Sequence, residues 1–178
     1  MDCAGSLSAL VRKAVETALS GSAISLRCDF EAGLPAVVYN TAQMRMVFAE
    51  LASNARKAMP SGGTLCVTAG DCRVTPSDAL PLPEGRYLHV CVSDKGTGIA
   101  PQDLPRIFDP YWSRDPMGTR KSMGLGLTLC YTILKRHNGF IVAESKPDAG
   151  ASFHLYLPAA PQACPAPEIE SAPVMAGR

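Results

Sequence analysis

The sequence lacks the marks of several large classes of protein. No apolar run approaches the roughly 20 residues needed to span a bilayer. The start Met1-Asp-Cys-Ala has neither the basic nor the apolar region of a signal peptide. A soluble, cytoplasmic piece with no direct membrane contact is therefore expected. An excess of one charge is also missing: 17 Lys and Arg against 16 Asp and Glu give a formal net charge of +1. No global field draws in nucleic acid, so any anion recognition has to be local. The 7 cysteines are scattered, odd in number and without a CxxC pair, which argues against a disulfide framework and a zinc site. Apolar residues are plentiful: 47% of 178 residues are hydrophobic, which suits one α/β domain with a full core.

The apolar residues fall into periodic runs. Leu7, Leu10, Val11, Ala14, Val15 and Ala18 form the stripe of an amphipathic helix over 6–20 that stops at Gly21. Segments 23–30 and 36–39 read as short strands, and Thr41 reads as the N-cap of a second helix running to about Ala58. That helix is ended by Met59-Pro-Ser-Gly-Gly63. Stretches 64–72 and 86–94 read as strands joined by a Pro-rich surface connection, and 101–107 as a short helix. Residues 110–122 carry no usable period and read as a mobile lid. A third helix over 125–138 closes at Asn138-Gly139, and strands 140–145 and 151–157 finish as a hairpin. From Pro158 onward Pro and Ala dominate, so 1–158 is expected to be the domain and 159–178 a disordered tail or linker.

Three segments carry candidate chemistry. Glu50, Asn54 and Lys57 are spaced i, i+4 and i+7, which places them within about 60° of one another on a helix. An amide oxygen there can ligate Mg²⁺, a lysine can meet a phosphate, and a carboxylate can orient or deprotonate a water or hydroxyl. Taken alone, that helix is better read as an ordinary solvated face. In the second segment, Leu88, Val90 and Val92 share a strand face whose next member is Asp94, so a carboxylate ends an apolar stripe. The exocyclic amine of adenine would give it a donor, with Gly96 and Gly98 letting the backbone turn beside the ring. A solvated Asp-initiated turn is the plainer alternative. In the third, Gly124-Leu125-Gly126-Leu127 opens a helix whose N–H groups can face phosphate oxygens, or which simply packs closely. No Gly-Lys-Ser/Thr follows and no strand leads in, so neither a Walker loop nor a Rossmann fingerprint is present.

Taken in order, these motifs resemble the catalytic, ATP-binding domain of sensor histidine kinases, within the superfamily that also holds gyrase and MutL ATPases. The resemblance covers residues 6–158. An N box matches Glu50–Lys57, a first glycine box Asp94-Lys-Gly96-Thr-Gly98-Ile, an F box Ile107-Phe108-Asp-Pro110-Tyr111, and a second glycine box Met123-Gly124-Leu-Gly126-Leu. The resemblance implies a two-layer α/β sandwich of the Bergerat type, with a mixed sheet of about five strands packed on three helices. It implies that Asn54 ligates Mg²⁺, that Glu50 and Lys57 serve the phosphates, and that Asp94 binds the adenine amine. Gly96, Gly98 and Phe108 would help to form the cofactor pocket. Arg114 and Lys121 would act from the lid, with Gly124, Leu125 and Gly126 at its hinge.

The implied activity is transfer of the ATP γ-phosphoryl group to a histidine on a separate dimerisation domain, then onward to a response regulator or fused receiver. Whether the parent protein is membrane-anchored is left open. Phrases such as Asn-Ala-Arg-Lys-Ala-Met-Pro-Ser-Gly-Gly are most similar to PAS-linked or hybrid kinases. Some positions depart from the pattern: Tyr111-Trp112-Ser-Arg-Asp in the F box, Ser122 before the second glycine box, and Asn40 where Asp is common. No His followed by an acidic residue and Pro occurs. His89, His137 and His154 are expected to be packed or surface histidines. An ATP-gated interaction module without phosphotransfer and an anti-sigma-factor-like serine kinase are the alternatives.

Overall fold

Strand parity and helix periodicity sort the apolar side chains onto one side of a single sheet. The structure, a computed structural model, describes residues 4–112 and 124–160, with side chains from residue 7. Three helices, α1 (Ala4–Leu19), α2 (Thr41–Ala58) and α3 (Gly126–Arg136), lie with five strands: β1 (Ile24–Phe30), β2 (Gly63–Val74), β3 (Gly85–Ser93), β4 (Phe140–Ser145) and β5 (Ala151–Pro158). The sheet order is β1-β2-β3-β5-β4. Only β1 and β2 run parallel, joined through α2, while the other three pairs are antiparallel. The fold is thus a two-layer α/β sandwich on a mixed sheet, as the resemblance implies.

The core lies between the layers. Leu65 and Val67 of β2, Leu88, Val90 and Val92 of β3, and Phe153, Leu155 and Leu157 of β5 meet Val11 and Val15 of α1 and Met44, Val47, Phe48 and Leu51 of α2. Each strand's alternate residues face the other way, where His89, Cys91, His154 and Tyr156 are half-buried on an open face. There the His89 and His154 rings stack at 5.3 Å, with Tyr156 against His89 at 4.8 Å. All three histidines are packed or surface residues, as expected of them.

Three local expectations are corrected. The N-cap of α2 is Asn40, not Thr41: the Asn40 Oδ1 accepts the Gln43 N–H at 3.0 Å, and Thr41 is the first helical residue. Segment 36–39 is no strand but a single bridge, Val37 to Ala159, because no neighbouring strand lies along the rest of it. Residues 101–107 form only a 3-10 turn at Leu104–Arg106, since Pro101 and Pro105 leave too few backbone donors for an α-helix. The Pro-rich connection between β2 and β3 holds one 3-10 turn, Pro76–Asp78, closed by the Asp78 carboxylate on the Thr75 N–H at 2.6 Å. The expected lid falls mostly outside the described residues, as does nearly all of the expected tail.

Candidate functional site

Asp94 follows β3 directly and is the one buried polar or charged side chain among the described residues, 6% exposed. Strand parity carries it to the helix side of the sheet, in line with Leu88, Val90 and Val92. Its Oδ1 accepts the Gly96 N–H at 2.8 Å and the Ala151 N–H at 3.4 Å. Burial pushes the carboxyl pKa up, and the two backbone donors oppose that rise only in part. Both of these bonds are made to Oδ1. A carboxylate has acceptor capacity on both oxygens, so Oδ2 can take a ligand N–H.

The turn after Asp94 is held on two sides. A Cβ on Gly96 would lie 2.6 Å from the Ala58 Cβ, and the Thr97 N–H donates to the Ala58 carbonyl at 3.2 Å, so this turn docks on the last residue of α2. Gly98 has a left-handed φ of 66°, and a Cβ there would fall on the Lys146 carbonyl. On the second side the Asp148 N–H donates to the Thr97 carbonyl at 2.9 Å. The Ser145 hydroxyl meets the Ile99 N–H at 2.7 Å and the Gly150 carbonyl at 2.6 Å.

Helix α2 also touches the third motif. A Cβ on Gly126 would collide with the Glu50 carboxylate, so the side chain of Glu50 lies at the N-terminal end of α3. Helix α3 runs antiparallel to α2 from that point. The Cys130 thiol donates to the Val47 carbonyl at 3.8 Å, and the Asn40 N–H donates to His137 Nε2 at 3.0 Å. With Nε2 accepting, His137 Nδ1 carries the proton and bonds the Ile133 carbonyl at 2.8 Å. Burial, helped by the Glu50 charge, pushes the Cys130 thiol up to about 12, so Cys130 acts as a packed neutral group.

The two glycine segments therefore bracket one stretch of α2. From Glu50 to Ala58 is eight residues, about 12 Å of helix axis. Asn54 is half-buried midway along it, and Lys57 is exposed one position before Ala58. Gly124 is left-handed at φ 62°, and a Cβ there would meet the Trp112 carbonyl at 2.5 Å. Leu125 is partly exposed at the start of α3. Phe108 is half-buried and packs on Tyr131 of α3, the ring centroids 5.8 Å apart. Arg114 and Lys121 lie outside the described residues. Sequence reasoning missed Ala58, Ser145, Gly150 and Ala151; their parts are played mostly by backbone groups, which leave no trace in side-chain chemistry.

The sequence profile of the family described as histidine kinase-, DNA gyrase B-, and HSP90-like ATPase matches residues 39–161. The chain belongs to this family. The sensor kinase CckA of Brucella abortus is 36% identical over 143 residues, 79% of this chain and 15% of that protein. Sporulation kinase A of Bacillus subtilis is 30% identical over 154 residues, 86% of this chain and 22% of that protein. The chain thus spans less than a quarter of either relative. Among solved structures, a mycobacterial sensor histidine kinase, MprB, superposes with a TM-score of 0.67 at 20% identity, covering 87% of this chain and 95% of that one. Full-length ShkA in complex with AMPPNP gives 0.68 at 24% identity, covering 90% and 31%. Both likenesses bear on the fold. Among the described residues of this ATPase-family domain, no helix is long and apolar enough to cross a membrane.

Proposed function

We propose that this domain binds Mg·ATP along the bracketed stretch of α2 and donates the γ-phosphoryl group to a histidine on a separate dimerisation domain. The adenine amine meets Asp94 Oδ2, and the phosphates run past Asn54 toward Gly124, Leu125, Gly126 and the N–H groups that open α3. The single observation that carries the reading is the docking of both glycine segments on one face of α2, Gly96 at Ala58 and Gly126 at Glu50.

The donors fit Mg²⁺. Asn54 and Glu50 offer hard oxygens on one face, and among the described residues no group of three or more His, Cys, Asp or Glu forms a closed cage. That suits an ion held by one or two protein oxygens plus substrate phosphates and water. When bound, Mg²⁺ neutralises charge developing on the phosphates. Asn54 would hold it, Lys57 and the lid cations Arg114 and Lys121 would meet phosphate oxygens, and Gly98 and Phe108 would border the base end. A ring nitrogen of the acceptor histidine attacks the γ-phosphorus as the bond to the β-phosphate oxygen breaks. ADP leaves, and Glu50 would take the ring N–H proton. The relatives' names support the sensor-kinase setting; a response regulator or fused receiver would act downstream, and the domain would work in the cytoplasm.

Calorimetric titration of wild type, Asn54→Ala and Asp94→Asn with Mg·AMPPNP tests the binding half. Wild-type affinity in both variants would end the proposal. Mixing the domain with its acceptor domain and labelled ATP tests the transfer half, where persistent absence of phosphohistidine would favour a nucleotide-gated interaction module.

A further inference from the structure

We propose that Ser145 is a positioning residue for base recognition: its hydroxyl locks together the two loops that aim Asp94. The inference rests on reading Asp94 as the acceptor for the adenine amine. Ser145 is the last residue of β4, half-buried beneath the turn that leads to β5. Its Oγ accepts the Ile99 N–H at 2.7 Å and donates to the Gly150 carbonyl at 2.6 Å. A serine hydroxyl has one proton and two lone pairs, and here it serves one donor and one acceptor on different loops.

Both bonds act on Asp94 from a distance. Ile99 ends the glycine turn that Asp94 begins, and Gly150 directly precedes Ala151, whose N–H reaches Asp94 Oδ1 and whose carbonyl accepts the Asp94 N–H at 2.9 Å. The two loops have no slack. A Cβ on Gly98 would fall on the Lys146 carbonyl, and a Cβ on Gly150 would fall on the Asp94 carbonyl. The remaining tie, Asp148 N–H to Thr97 carbonyl, is backbone to backbone. Ser145 is thus a side chain that laces the two loops directly. Removing its hydroxyl leaves the Ile99 N–H and the Gly150 carbonyl to find other partners, and the Ala151 N–H shifts with them.

The test titrates wild type, Ser145→Ala, Ser145→Cys, Ser145→Thr and Asp94→Asn with Mg·ATP and Mg·ITP, since inosine carries a carbonyl where adenine carries the amine. Wild type is expected to prefer ATP, and Asp94→Asn to lose that preference. Ser145→Ala should cut the ATP-over-ITP ratio about tenfold, the effect of one weakened charge-assisted hydrogen bond. Ser145→Thr, which keeps the hydroxyl, should restore it. If Ser145→Ala does not fold, Ser145→Cys keeps the volume with a weak donor and should show a reduced ratio. A full ratio in the Ala or Cys variant, or equal losses for both nucleotides, would overturn the positioning role while Asp94→Asn still upheld the base contact. An unchanged ratio in Asp94→Asn would remove the reading of Asp94 and this inference with it.

Discussion

At the scale of the residue, Asp94 sets function against stability. Its pKa is raised by burial above the ordinary value of 3.8, so the fold favours the protonated form. The sign follows from linkage: that contribution to stability is present below the unfolded pKa and is lost as pH rises through the folded one. At neutral pH the buried carboxylate therefore costs stability, and a ligand amine would offset the cost. Asp94→Asn keeps an acceptor for the Gly96 and Ala151 N–H groups and removes the charge. It should leave the melting temperature unchanged or raise stability by about 1 kcal/mol, while ATP affinity falls by about 2 kcal/mol, roughly 30-fold. Parallel thermal melts and calorimetry separate the two effects. At Gly98, addition of a methyl group meets both the left-handed φ and the Lys146 carbonyl. Gly98→Ala should cost 2 kcal/mol or more, of the order of about 1–3 kcal/mol per strained site, read as a shift of the urea midpoint.

At the scale of the element, α2 is the part that organises the site. Its N-terminus is fixed by the Asn40 cap and by the bond from the Asn40 N–H to His137, and its C-terminal end carries the Asp94 turn. His137→Ala removes the bridge between α2 and α3 and should destabilise the domain by about 1 kcal/mol, the net value of an ordinary hydrogen bond. Asn40→Ala should cost about 1 kcal/mol as a lost cap, and because both act on one junction the double variant should fall short of the sum. Urea denaturation of the two singles and the double checks this.

The helices and strands were legible because their apolar periods are strong: the α1 stripe and the β3 alternation ending on Asp94 translate directly into buried positions. Thr41 reads as the cap because it too is a good capping residue, and only the fold decides which of two neighbours turns out of the helix. The bridge at Val37 and the lacing by Ser145 and Ala151 depend on residues far apart in the chain meeting through backbone groups, which no local pattern records.

At the scale of the whole molecule, the two faces of the sheet have different duties. One is covered by the helices and carries Asp94; the other leaves His89 and His154 stacked, with Tyr156 beside them and the Glu144 carboxylate 3.9 Å from His154. Burial, and then the neighbouring His154, lower the His89 pKa below its ordinary value of 6.5. Stability from neutral His89 is complete above the unfolded pKa and is lost as pH falls through the folded one. The urea midpoint should drop between pH 7.5 and pH 5.5, and His89→Gln should flatten that drop; an equal drop in the variant would assign the effect to other groups.

The account's central claim is that one face of α2 holds a nucleotide between two glycine segments. Backbone amide shifts recorded on addition of Mg·AMPPNP test it most directly. The prediction is a coherent set of changes at Asn54, at Gly96–Ile99 and Ala151, and at Gly124–Leu127, with the open face around His89 and His154 unmoved. Saturable changes confined to any other surface, or none at all, would contradict it.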